Sequence, residues 1–458
     1  MHKSFPRPLW LILSLLAILS LAAFAACGDD DDDDDGGETT APGETDDGEP
    51  TDDGGGGDIG SVDVIGLWGA EEEDNLRALV APWEDETGGS LSYTGTRDDV
   101  ETVRTRVEGG DPPDVYFPAS LGFFRELQAD GELMPLSSCA NLDLAELESM
   151  YGASLDDFTI DGEVYGFLFK SGMKGTVWYS PTAFSDANYE VPETYDELIA
   201  LSDQIVSDGG TPWSVAEFAN GGTGFPGSDF IQQFLIKEFG PEVYDQVASG
   251  EIPYTDDRVK SAWEKYGEIV LTDGYVVGGP TQALATTFSE GSLPLFEDPP
   301  GAYMHYLGAF NSGFITDTSL GFPEGLVAGE DFDFFRFPTI DSEFAGAVTG
   351  DGNMAVIFNN DETTCSFLEH VASPEAQEIW VGAGGFLSVN NQVPTSAYPN
   401  EIDQRVAEVL GSTDAIFRFD LDDAQGSAPQ VAVFAGVQEY IQGGDLDDIL
   451  SQIAAAYE

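Results

Sequence analysis

From residue 59 to residue 458, short apolar runs alternate with stretches whose apolar residues recur every three or four positions. The run Asp63-Val64-Ile65-Gly66-Leu67-Trp68-Gly69 is β-rich, ends in glycine and predicts a strand. Residues 74–86 follow as an amphipathic helix, with Leu76, Leu79, Val80 and Trp83 on one face. Residues 91–94 predict a second strand and 100–107 a second helix. The turn Asp111-Pro112-Pro113 leads into Asp114-Val115-Tyr116-Phe117, a third strand. Strands alternating with helices predict an α/β fold with a parallel sheet. Ligands of such sheets sit beyond the carboxyl ends of the strands. That rule points to Trp68 and Glu71, to Arg97 and Asp98, and to Phe117 and Ser120. Further along, residues 193–206 predict a helix carrying Leu198, Leu201, Ile205 and Val206, and residues 347–358 are β-rich around a Gly-Asp-Gly turn. Residues 445–457 predict a closing helix with Leu446, Ile449, Leu450 and Ile453 on its face.

The N-terminal region follows another pattern. Lys3 and Arg7 precede an apolar run from Leu9 to Ala26, the order of a secretory signal. Phe24-Ala25-Ala26-Cys27 resembles a bacterial lipobox, with phenylalanine where leucine is commoner. The expectation is a signal peptide over 1–26 and a lipidated Cys27 on the extracellular face of the cytoplasmic membrane. An uncleaved anchor is the alternative, and a run of about 18 residues is at the short edge for a bilayer span. Residues 28–57 are almost entirely Asp, Glu, Gly, Thr and Pro, with Asp29 to Asp35 unbroken. Such a segment has nothing apolar to bury and repels itself, so 27–58 predict a disordered acidic tether. The aspartate run makes no calcium cage, because cages need carboxylates on a turned, rigid loop.

Charge narrows the partners. Sixteen basic against 85 acidic residues give a net charge of −69, and the acidic surplus continues beyond the tether. Nucleic acid and anionic membrane surfaces are disfavoured by that field. Three cysteines occur. With Cys27 lipidated, Cys139 and Cys365 remain in a compartment where disulfides persist, and the sequence leaves their pairing open.

Several motifs carry a family resemblance. They are Tyr93-Thr94-Gly95-Thr96-Arg97-Asp98, Gly110-Asp111-Pro112-Pro113-Asp114-Val115, and Gly162-Glu163-Val164-Tyr165-Gly166 leading to Val177-Trp178-Tyr179-Ser180-Pro181. Val191-Pro192-Glu193-Thr194-Tyr195-Asp196-Glu197-Leu198, Gly209-Gly210-Thr211-Pro212-Trp213 and Pro299-Pro300-Gly301 follow in order. Together they resemble the extracellular solute-binding proteins of ABC importers, family 1, in the alpha-glucoside-binding branch. The resemblance implies a two-lobed periplasmic-binding-protein-like α/β fold of type II with the ligand cleft between lobes. It places residues 59–175 and 347–398 in lobe 1, and 176–346 and 399–458 in lobe 2. It further implies a monomer that captures a carbohydrate and delivers it to ABC permease subunits, with no cofactor, no metal and no chemistry.

A sugar offers apolar C–H faces and a rim of hydroxyls, so its pocket needs flat rings and short polar groups. Trp68, Trp213, Phe225, Tyr303 and Phe386 are rings beside polar or glycine-rich segments, where Glu217, Asp229 and His305 also fall. Core packing is the commoner reason for any one such ring taken alone, and polar neighbours at predicted strand ends single out Trp68, Phe225 and Tyr303. Arg97 and Asp98 offer charge-assisted bonds to hydroxyls, or a local ion pair. Lys170 and Lys174 stand out among six lysines, and the resemblance sets them beside the crossover and cleft. Asp351 and Asn353 lie in the second crossover, where Asp351-Gly352 also reads as a simple turn.

Rival activities leave weaker traces. A glycosidase needs two carboxylates at a fixed spacing, which 85 acids supply by chance. There is no Gly-x-Ser-x-Gly elbow, no Cys/His cluster with metal spacing and no phosphate loop. Gly222-Thr223-Gly224-Phe225-Pro226-Gly227 matches a dinucleotide fingerprint formally, but lies mid-chain with Pro226 disturbing the expected helix start. A surface glycan receptor without transport and a secreted carbohydrate-active enzyme are the remaining alternatives.

Overall fold

The structure, a computed structural model, describes residues 59–96, 98–219, 222–412 and 415–457. The signal peptide, Cys27, the tether and Arg97 lie outside the described residues. No helix among the described residues is long and apolar enough to cross a membrane.

Two sheets organise the chain. The first has five strands in the order Ser90–Gly95, Ser61–Gly66, Val115–Phe117, Gly352–Ile357, Gly166–Ser171. Its first three strands are parallel, with Val64 opposite both Tyr93 and Val115. Gly352–Ile357 returns from far along the chain and pairs antiparallel with both neighbours. The second sheet orders Asp333–Arg336, Thr176–Tyr179, Met304–Tyr306 and Trp213–Ser214, antiparallel except for its last pair. A parallel pair, Ala347–Gly350 with Ile416–Phe419, lies at the junction.

Local signals explain the helices. Glu71–Thr87 buries Leu76, Leu79, Val80 and Trp83 against the first sheet and stops at Gly88, whose φ of 69° suits the left-handed C-cap. Tyr195–Ser207 begins with a reciprocal capping box between Thr194 and Glu197. It buries Leu198, Leu201 and Ile205, whereas Val206, expected on the same face, is exposed. Leu446–Ala455 buries Ile449, Leu450 and Ile453 in one core with Trp263 and Tyr266.

Cys139 and Cys365 are disulfide-bonded, with Cα atoms 5.4 Å apart. The bridge ties the segment after Leu136–Ser138 to the helix Glu362–Ala372 inside the first sheet's core.

The chain leaves the first sheet through residues 171–176 and returns through 350–352. These segments run side by side: Gly172 N–H donates to Asp351 O and Lys174 N–H to Thr349 O, both at 2.9 Å. Two glycines permit the approach. A Cβ on Gly172 would strike the Asp351 carboxylate, and one on Gly350 would strike the Gly172 carbonyl.

Candidate functional site

A cavity of about 810 Å³ opens where the strands of the first sheet end. Leu67, Trp68, Ala119 and the Lys170–Gly172 segment form its first wall; Phe310, Ser312, Thr316 and Phe332, beside the second sheet, form the facing wall. Asp351 and Asn353 contribute from the returning crossover, Phe386 from the loop after the helix Pro374–Ala383, and Asn400 and Asp403 close the rim.

Trp68 lines this cavity, but the residue is only 2% exposed. It packs 5.0 Å from Phe117, 5.1 Å from Trp380 and 5.6 Å from Phe169. Its backbone is pinned by Tyr93, whose hydroxyl accepts from Trp68 N–H at 3.0 Å and donates to Trp68 O at 3.1 Å. Lys170 lies over the Trp380 ring at 5.0 Å and pairs with Glu72 at 2.6 Å. Asn353 stands at a register shift in its strand, a bulge of the kind that re-aims side chains at functional edges.

Lys174 lies below the floor. Its ammonium is 2.7 Å from Asp229, 3.2 Å from Asp420 and 3.3 Å from Asp351, with Phe310 and Phe225 flanking at 5.3 and 5.5 Å. Burial disfavours the ammonium, yet the three carboxylates outweigh it and hold Lys174 well above the ordinary lysine range. Burial likewise pushes the Asp229 carboxyl up to about 7, and Lys174 only partly opposes it.

Other expected residues stand elsewhere. Phe117 is core beneath Trp68, and Ser120 caps the helix Leu121–Ala129 by accepting the Phe123 N–H at 3.1 Å. Asp98 is exposed ahead of Asp99–Gly109, where its carbonyl accepts the Thr102 hydroxyl. Glu71 opens the helix Glu71–Thr87. Phe117, Ser120 and Asp98 do not line the cavity.

Trp213, Tyr303, Glu217 and His305, also expected at the site, stand away from this cavity. Trp213 is fully buried on a short strand, its indole N–H donating to Ser202. Tyr303 packs on Tyr189 at 5.1 Å. His305 is buried with Nδ1 2.9 Å from Ser214 O, so Nδ1–H donates, and burial pulls its pKa down to about 4. Their sequence contexts read as loops, but each packs into the core around the second sheet. Phe225 is partly buried between Phe288 and Lys174, and Phe386 meets the cavity from the core.

Glu217 also disposes of the nucleotide fingerprint. Pro226 does not disturb the helix: it sits in the first turn of Phe225–Ala248, where its missing N–H costs nothing. The Gly227 N–H, which a phosphate would need, donates instead to Glu217 at 2.9 Å. An acid fills the anion position.

Glu72, Phe310, Asn400, Asp403 and Asp423 line the cavity without having been expected there. Glu72 adjoins the expected Glu71, and the strand-end rule could have included it. The others come from segments whose place depends on tertiary packing alone.

The sequence profile of the bacterial extracellular solute-binding proteins matches residues 78–406. The chain belongs to that family. Among relatives of this solute-binding protein, the alpha-glucosides-binding periplasmic protein AglE of Rhizobium meliloti is 30% identical, over 87% of each chain. The osmoprotective compounds-binding protein GgtB of Synechocystis is 29% identical over 86% of this chain and 92% of its own. The crystal structure of the bacterial solute receptor AcbH, described as preferring β-D-galactopyranose, superposes with a TM-score of 0.71 at 17% identity, over 87% of this chain and 98% of its own. The two-lobed α/β fold expected from the sequence is the fold observed, and the protein is a binding protein rather than an enzyme.

Proposed function

We propose that the cleft captures a neutral carbohydrate, an alpha-glucoside or another small oligosaccharide, for delivery to the permease of an ABC importer. The observation that carries this reading is the composition of the cavity. Trp68, Phe310, Phe332 and Phe386 offer apolar surface, while Ser171, Asn353, Asn400 and Asp351 offer short polar groups, in the mixture a sugar requires. About 810 Å³ lies within the usual range for small-ligand sites. Lys170, the cation among the described lining residues, is already paired with Glu72, so the lining offers phosphorylated or carboxylated sugars no free positive charge. The name of AglE, similar over 87% of each chain, supports the same ligand class.

In this reading the lobes are residues 59–175 with 347–398, and 176–346 with 399–458. They close about the crossovers at 171–176 and 350–352, and ligand contacts to both walls stabilise the closed form. A signal peptide over 1–26 and lipidation of Cys27 hold the protein outside the membrane on its acidic tether. Small-angle scattering with and without a bound sugar tests the closure. A smaller radius of gyration is expected, and unchanged dimensions at saturation would contradict it.

A further inference from the structure

Behind the cleft the chain buries more negative charge than it balances. Asp229, Asp420 and Asp422 are 1%, 2% and 5% exposed, and one carboxylate oxygen from each lies within 4.8 Å of the others. Among the described residues, the one ammonium or guanidinium that ion-pairs with them is Lys174, which reaches Asp229 and Asp420. Among the described residues Asp422 Oδ1 is met by an amide: Gln232 Nε2 donates to it at 3.0 Å and to Asp229 Oδ1 at 3.2 Å. Lys174 is shared with Asp351 as well, so among the described residues one ammonium serves Asp229, Asp351 and Asp420 in a low-dielectric interior, and it makes no ion pair with Asp422.

A second observation singles out where positive charge is missing. Asp420 Oδ2 faces Lys174, but Asp420 Oδ1 is buried and has no hydrogen-bond partner among the described residues. Buried carboxylate oxygens are ordinarily satisfied, and an orphan beside two further carboxylates is an acceptor held ready for a cation. Burial also pushes the Asp420 and Asp422 carboxyls well above their usual range, so the cluster favours taking up positive charge.

We propose that Asp229, Asp420 and Asp422 bind one hard divalent cation of the calcium class beside Lys174. The donors are all oxygen, and neither His nor Cys belongs to the cluster, which selects against zinc and softer metals. A divalent ion would offset acid that Lys174, already shared among Asp229, Asp351 and Asp420, leaves unmatched. Three carboxylates supply part of a calcium shell; main-chain carbonyls or water would supply the rest. Asp229 lies on the helix Phe225–Ala248, Asp420 and Asp422 follow the strand Ile416–Phe419, and Lys174 lies in the outgoing crossover. The ion therefore braces the junction directly behind the cleft.

The experiment uses the full chain, stripped with a chelator and held at pH 8 in high potassium chloride to suppress binding by the acidic surface. Thermal unfolding is followed against calcium, calorimetry gives the stoichiometry, and terbium luminescence sensitised by nearby Tyr244 and Tyr306 reports the site. The expected result is one saturable ion per chain that raises the melting temperature. Asp422→Asn should weaken it at least tenfold and melt above the wild type without the ion. Asp420→Asn serves if that variant does not fold. An unchanged melting temperature in calcium overturns the proposal. So does a calcium response that survives in both variants, which marks surface binding. Stabilisation by lowering the pH to 6 with no calcium response also overturns it, because protons then fill the cluster.

Discussion

The carboxylate of Asp351 stands 3.3 Å from the ammonium of Lys174, the one a third exposed at the cleft floor and the other buried beneath it. Asp351 is the carboxylate of the Lys174 group that both faces the cleft and belongs to a crossover. A ligand hydroxyl bonded to it would touch the crossover about which closure is proposed. Asp351→Asn keeps the shape and removes the charge-assisted bond. Calorimetry should show affinity falling about tenfold, some 1.4 kcal/mol. Unchanged affinity would remove Asp351 from the site.

The aromatic candidates separate by position. Tyr303 packs on Tyr189 outside the cavity, so Tyr303→Ala should leave sugar affinity at the wild-type value. Trp68→Ala should cost about 3–5 kcal/mol of stability, because it empties the cluster with Phe117, Phe169 and Trp380. Denaturant unfolding beside a binding isotherm distinguishes the two. A large affinity loss in the Tyr303 variant would contradict this placement of the pocket.

The strand-end rule leads to Trp68, which lines the cavity, because local pattern fixes where strands stop; Lys170, Asp351 and Asn353, which also line it, are singled out through the family resemblance that sets them at the crossovers. Local pattern could not separate Trp213 or Tyr303 from ligand-facing rings, since a ring beside glycine or proline marks a loop and a short core strand alike. Phe310 and Asp403 carry no local signal, as they reach the cavity only through packing between distant segments. Asp420 and Asp422 were hidden among 85 acids. Only burial distinguishes them.

Glu217 makes stability depend on pH. Burial pushes its carboxyl up to about 7, while the Tyr266 hydroxyl and Gly227 N–H, both donating at 2.9 Å, pull it partly back. Between its ordinary pKa of 4.5 and about 7 the folded state holds the proton that the unfolded state has released. This contribution to stability is therefore present below 4.5 and lost as pH rises through 7, by about 3 kcal/mol. Glu217→Gln should remove that slope, matching the wild type near pH 4.5 and exceeding it at pH 8. Urea unfolding of both proteins across this range provides the comparison, and parallel profiles would refute it.

The Cys139–Cys365 bridge closes a sequence separation of 226 residues, with both sulfurs in the core. Replacing both cysteines by alanine should cost about 2–5 kcal/mol, seen as a lower midpoint in denaturant. Two reactive thiols at these positions in the folded, non-reduced protein would show that the bridge does not form.

Calorimetric titration of the full chain tests the central claim most directly. The ligands are neutral disaccharides and polyols, including maltose, trehalose and sucrose, beside phosphorylated and uronic-acid sugars. At least one neutral carbohydrate should bind one per chain with micromolar affinity, about −8 kcal/mol, and the anionic sugars should not bind. A flat titration for every neutral sugar, or a preference for the anionic ones, would contradict the account.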